Sequence, residues 1–164
     1  MDLQWSNNPR HTILSLHDPA YPERLKLLPD APPVLFVKGD VSLLNDPQIA
    51  IVGARHPTPS GKKTAYEFAQ SLAKIGVLVS SGTARGIDGQ AHLGALDAPS
   101  PSLAVIATGQ DIIYPSQNKE LAHRLAEHGV IVSEFSAGTR PLGSNAPNTP
   151  NLSLIHISEP TRPY

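Results

Sequence analysis

From residue 48 onward, short continuous apolar runs alternate with longer stretches whose apolar residues recur at helical spacing. The runs are "QIAIVG" (48–53), "VLVSSG" (77–82), "LAVIAT" (103–108) and "VIVSEF" (130–135). Between the first two lies "SGKKTAYEFAQSLAKIG" (60–76), where Ala65, Phe68, Ala69, Leu72 and Ile75 share one helical face. Lys62, Lys63, Glu67 and Lys74 take polar positions, and Gly76 is a stop signal. Residues 87–97 predict a second helix whose small residues Ala91, Gly94 and Ala95 allow close packing, and 116–129 a third with Leu121 and Leu125 inward. Strands that are apolar without alternation are buried on both faces, the mark of a parallel sheet covered by helices. The pattern predicts a Rossmann-like, doubly wound α/β domain with a mostly parallel sheet.

The first forty residues read as a lead-in with one strand candidate, Val34 to Val37. The expected organisation is therefore a lead-in over 1–40, a Rossmann-like domain over 41–151, and a separate tail over 152–164. "PLGSNAPNTPN" (141–151) reads as a loop. "LSLIHISEPTR", from Leu152 to Arg162, resembles the peptide obtained by translating a common sequencing-library transposon adapter. On that reading the tail is not natural protein, and the domain is truncated at its C-terminal end.

Composition narrows the function classes. The chain has 164 residues, 40% apolar, which suits one domain with a sizeable core. It has no cysteine, hence no disulfide framework and no thiolate metal site. No apolar run approaches a membrane span and "MDLQWSNNPR" lacks a signal-peptide core, so the expected compartment is the cytoplasm. A formal net charge of −1 means that any phosphate-binding potential is local.

Ligands of open α/β sheets sit beyond the carboxyl ends of the strands. Four loops lie there: "VGARHPTPSGKK", "SSGTARGID", "TGQDIIYPSQNK" and "SEFSAGTRPLG". Glycines let the backbone turn sharply and a ligand approach closely. The helices that follow begin with free N–H groups and the positive end of their dipole, which suits anions. Arg55 and Arg85 add forked cationic donors, and Lys62, Lys63 and Lys119 lie near helix starts. Neither familiar phosphate fingerprint fits. Arg55 stands where a dinucleotide motif needs its second glycine, and Gly61-Lys62 lacks the upstream glycine and the following hydroxyl of a P-loop.

Several residues carry two readings. Ser60 and Asp88 are candidate helix caps, Asp88 also a loop hydrogen-bonding group or a ligand contact. Asp88 and His92 share a helix face, as an acid–base pair, as two metal ligands, or with His92 simply bonded to a neighbouring loop. Glu134 is a candidate base, or a partner for an arginine or for loop N–H groups. Tyr114 is either a stacking platform for a base or a loop-packing residue.

The ordered segments "YPERLKLLPDAPPVLFVKGD", "IAIVGARHPTPSGKKTA", "VSSGTARGIDGQAHLGAL", "TGQDIIYPSQNKEL" and "GVIVSEFSAGTRP" closely resemble the DNA-processing protein A family (DprA, also called Smf) of bacteria, over about residues 12 to 142. The resemblance implies a non-enzymatic, cofactor-free protein that binds single-stranded DNA, protects it during natural transformation and loads the RecA recombinase, acting as a homodimer. It implies a DNA contact at Arg55, a loop from Ser81 to Asp88, with Gly82, Arg85 and Gly86, lining the same pocket, and a further contact at Lys119; the reading of the loops adds Gly53 and Tyr114 as candidate DNA contacts and Asp88, His92 and Glu134 as structural residues. The F-P-x-R-N-R motif common in the family is not found after the fourth strand. Two rivals stand beside this reading: a nucleotide or phosphoribosyl hydrolase using Glu134 or Asp88 as base, and a nucleotide-sensing module.

Overall fold

The computed structural model describes residues 2–82, 86–111 and 119–140. A single sheet organises them. Its strands are β1 (His11–Ser15), β2 (Val34–Gly39), β3 (Gln48–Ala50), β4 (Leu78–Gly82), β5 (Ser102–Ile106) and β6 (Val130–Ser133), in the spatial order β1-β2-β6-β5-β4-β3. The pairs β3–β4, β4–β5 and β5–β6 are parallel, while β2 joins β6 and β1 joins β2 antiparallel. Three helices connect the parallel strands: α3 (Pro59–Lys74), α4 (Ile87–Asp97) and α5 (Lys119–His128). Two short ones, α1 (Asp2–Trp5) and α2 (Glu23–Lys26), and a 3-10 turn at Val41–Asn45 precede them. This is the Rossmann-like arrangement with a mostly parallel sheet that the apolar runs predict.

Every residue of β4, β5 and β6 is buried, so both faces of the sheet are covered. On one face Val79 packs with Ala69, Ala73, Ala91 and Ala95 of α3 and α4, and Ala104, Ile106 and Ile131 pack with Leu96 and Leu125 of α4 and α5. On the other, Leu78, Leu103, Val105, Val130 and Val132 meet Leu14, Tyr21, Leu25 and Leu44. The opposite layer is therefore built from residues of the lead-in and of the 3-10 turn that follows it. Among the described residues the parallel strands wind one way only, from β3 to β6, and the lead-in covers the face that a second set of helices covers in a doubly wound sheet.

The lead-in is bound to the sheet by more than apolar contact. β1 and β2 form a hairpin whose register runs from His11 opposite Lys38 to Ser15 opposite Val34. Trp5 stacks on His11 at 4.2 Å between ring centres and meets Phe36 edge-on at 6.0 Å. The Arg10 guanidinium donates to the Ala126 and Glu127 carbonyls at 2.8 and 3.3 Å, closing the C-terminal turn of α5.

Helices α3 and α4 pack closely because both offer small residues. A Cβ added to Gly94 would lie 2.2 Å from the Tyr66 carbonyl oxygen and 3.1 Å from the Ala69 Cβ. Asp97, the last residue of α4, ties that helix to the other two, accepting from the Tyr66 hydroxyl of α3 and the Arg124 guanidinium of α5 at 2.7 Å each. The α3 N-cap is Thr58, not Ser60. Its hydroxyl accepts the Gly61 N–H at 3.1 Å, with Pro59 opening the helix. Thr58→Ala is expected to cost about 1 kcal/mol, read as a lower urea midpoint with unchanged slope.

Candidate nucleic-acid interface

The parallel register sets the carboxyl ends of β3, β4, β5 and β6 side by side, so the loops that follow share one edge of the sheet. The first two are fastened together. The Ile87 N–H donates to the Ala54 carbonyl at 3.2 Å, and the Gly53 N–H donates to the Asp88 carboxylate at 3.3 Å. Gly86, at φ +89°, allows this approach. A Cβ there would lie 2.2 Å from the Ala54 oxygen and 2.8 Å from the Arg55 oxygen. The segment carrying Arg55 thus lies directly against the start of α4.

Arg55 is exposed on this edge, and its positive field reaches Asp88. Burial is the larger influence on that carboxyl and pushes it up to about 6, against the Gly53 N–H bond and Arg55, which pull it down. Lys119 is exposed at the first residue of α5, and Lys62 and Lys63 are exposed in the first turns of α3, Lys63 within 3.8 Å of Glu67.

Two of the expected contacts have their polar groups occupied within the protein. Ser81 is buried and its hydroxyl donates to the Ile51 carbonyl, joining β4 to the segment after β3. Gly82 is buried as well, and its carbonyl lies 2.7 Å from His92 Nε2. Arg85 and Tyr114 lie outside the described residues, as does the adapter-like tail.

His92 takes the loop-bonding role. It is fully buried, with Nδ1 2.8 Å from the Ser102 hydroxyl. A carbonyl only accepts, so Nε2 carries a proton toward Gly82. Burial holds the imidazole down at about 4. Both ring nitrogens of His92 are taken, by the Gly82 carbonyl and the Ser102 hydroxyl, while Asp88 accepts from Gly53, so no ring nitrogen is left for Asp88. Among the described residues no group of three His, Cys, Asp or Glu side chains is placed to hold a metal ion.

The charge acting on Glu134 is Asp30, a like charge from the lead-in, which together with the larger effect of burial raises its carboxyl. The expected arginine partner is therefore not what sets its environment. The third and fourth loops are joined instead by Gly109 and Gly138. The Gly109 N–H donates to the Thr139 carbonyl at 2.9 Å, and the Gly138 N–H to the Asp111 carboxylate at 2.7 Å. Gln110, passed over in the sequence, donates to the Phe36 and Ile131 carbonyls at 2.8 and 3.0 Å and bridges β2 to β6. Thr58 was also passed over, although a threonine followed by proline ahead of a helical pattern is a readable cap signal.

A family model described as DNA recombination-mediator protein A matches residues 12–152. The chain belongs to that family. The match takes in the hairpin β1–β2, both fastened loops and β6. Protein Smf of Synechocystis is 38% identical to this family member over 139 residues, 82% of this chain and 35% of that protein. The X-ray structure of DNA processing protein A from Streptococcus pneumoniae superposes with a TM-score of 0.77 at 36% identity, over 87% of this chain and 50% of that one. The Helicobacter pylori DNA processing protein A, whose structure is described as giving insight into a unique single-stranded DNA binding mode, superposes at 0.72 with 32% identity, over 81% of this chain and 59% of that one. This DprA-family chain thus spans about a third of the Synechocystis relative's length. Among its described residues, no helix is long and apolar enough to cross a membrane.

Proposed function

We propose that this chain carries the single-stranded DNA-binding edge of a recombination mediator, one that protects incoming DNA and hands it to the RecA recombinase during natural transformation, working as a homodimer and without a cofactor. The supporting observation is the joint between the Arg55-bearing segment and the start of α4, which gathers a cation, exposed backbone and a helix start at the carboxyl end of a parallel sheet. A polyanionic strand needs such a surface more than it needs a closed pocket, because phosphate contacts supply most of the affinity and are paid back in released counterions. The described structural neighbour from Helicobacter pylori binds single-stranded DNA, and the matching family is that of a recombination mediator.

The test is a filter-binding titration with oligo-dT across a salt series, with duplex of equal length as control. Tighter binding to the single strand is expected. Arg55→Ala is expected to weaken it and to reduce the salt slope by about 0.7, one phosphate contact on a single strand. A wild-type protein that prefers duplex, or an Arg55→Ala slope equal to the wild type's, counts against the proposal.

A further inference from the structure

We infer that Asp88 is a positioning residue for the proposed DNA surface, and that the oxygen it offers to Gly53, not its charge, holds the Arg55-bearing segment on α4. The inference rests on the reading of this edge as a strand-binding surface. Asp88 is 8% exposed and lies in the first turn of α4. Its oxygen takes the N–H of Gly53, two residues before Arg55, from a different crossover. Beside it the joint is held by the Ile87 N–H to Ala54, by the bare Gly86 against Ala54 and Arg55, and by the Ile87 side chain packed over Gly53. Removing the Asp88 side chain therefore takes away the acceptor that fixes Gly53, two residues before the cation that meets the phosphate.

The charge is a burden on the same function. A carboxylate beside Arg55 repels an incoming phosphate, and a neutral acid or amide keeps the accepting oxygen without the repulsion. The groups facing Asp88 are the Arg55 guanidinium from the β3–α3 segment, the N–H of Gly82 at the end of β4 and its own N–H, while His92 one turn later is neutral and bonded elsewhere. A phosphate at Arg55 adds a negative charge near a carboxyl already raised by burial, so binding takes up a proton and tightens as pH falls from 7.5 to 5.5.

The two substitutions therefore move affinity in opposite directions. With fluorescently tagged oligo-dT at fixed salt and pH 7.5, Asp88→Ala is expected to bind about tenfold more weakly than the wild type. Asp88→Asn is expected to bind roughly threefold more tightly and to lose the wild type's tightening between pH 7.5 and 5.5. A residue that only stabilises the fold shifts the melting temperature of each variant without this split. The inference is overturned if folded Asp88→Ala binds as the wild type does, if Asp88→Asn is as weak as alanine, or if the asparagine variant keeps the pH response. Should Asp88→Ala not fold, the asparagine variant decides alone by the latter two criteria. A wild type that binds no oligo-dT at any pH overturns the DNA reading itself, and this inference with it.

Discussion

Gly94→Val is expected to destabilise the protein by about 3 kcal/mol or more, enough to abolish the cooperative thermal transition of a domain of ordinary stability. The cause is steric and not conformational. Gly94 sits in mid-helix, where its dihedrals suit any residue, but a Cβ there would stand 2.2 Å from the backbone oxygen of Tyr66. A carbonyl in a neighbouring helix cannot rotate away as a side chain does, so α3 and α4 must separate along their length. Separation strips Ala69, Ala73, Ala91 and Ala95 of their mutual packing and opens the cover over Val79. Gly76 is the control. It has positive φ, +82°, but nothing within 4 Å of an added Cβ. Gly76→Ala should therefore cost only the left-handed strain of about 1 kcal/mol. Circular dichroism melts of both variants separate the two effects. A Gly94→Val protein that melts within a few degrees of the wild type would show that the two helices have slack to give.

A second large effect is concealed in the wild type, because two buried groups on α4 respond to acid with opposite sign. His92 is held down at about 4 from an ordinary 6.5, so its contribution is complete above 6.5 and lost as pH falls toward 4. Asp88 is raised to about 6 from an ordinary 3.8, so its contribution is complete below 3.8 and lost as pH rises through 6. Each shift of two units or a little more corresponds to about 3 kcal/mol. Between pH 6.5 and 4 the two largely offset one another. Asp88→Asn removes one arm while keeping an acceptor for Gly53. At pH 7 it is expected to be more stable than the wild type by up to about 3 kcal/mol, with the gap closing as pH falls from 6 to 4 and the variant's own stability dropping with His92. Urea midpoints at half-unit intervals read this directly. A gap that does not change with pH would refute the assignment of Asp88.

The part of the fold that could be read from the chain is the part whose strands are buried on both sides. The uninterrupted runs of β4, β5 and β6 announce themselves, and Ile87–Asp97 forms the helix that its spacing and small residues predict. The run at 48–53 is a different case: its strand covers three residues, Ile51 still donates to the Ser80 carbonyl, and Gly53 is already bonded to Asp88 of α4. β1 gave little signal because only Leu14 of its five residues is buried. The pairing of β2 with β6 joins segments far apart in sequence, which no local pattern encodes. At the candidate site, glycine and arginine spacing marked the right loops but could not say which groups face outward. Ser81 and Gly82 looked available, and turn out to be occupied by Ile51 and His92. A serine can serve its own backbone or a ligand, and the choice depends on a neighbouring strand that the motif does not contain.

The hairpin of β1 and β2 reaches the rest of the sheet only through β6, the last strand described, where Phe36 pairs with Ser133 and Gly39 with Val130. On the ribosome this hairpin therefore emerges before the strand it docks on, and docks only after every crossover between has been synthesised. Until then β2 carries an unpaired backbone edge, with Leu35 and Val37 uncovered, and a nascent chain stalled before residue 130 is a natural client for chaperones.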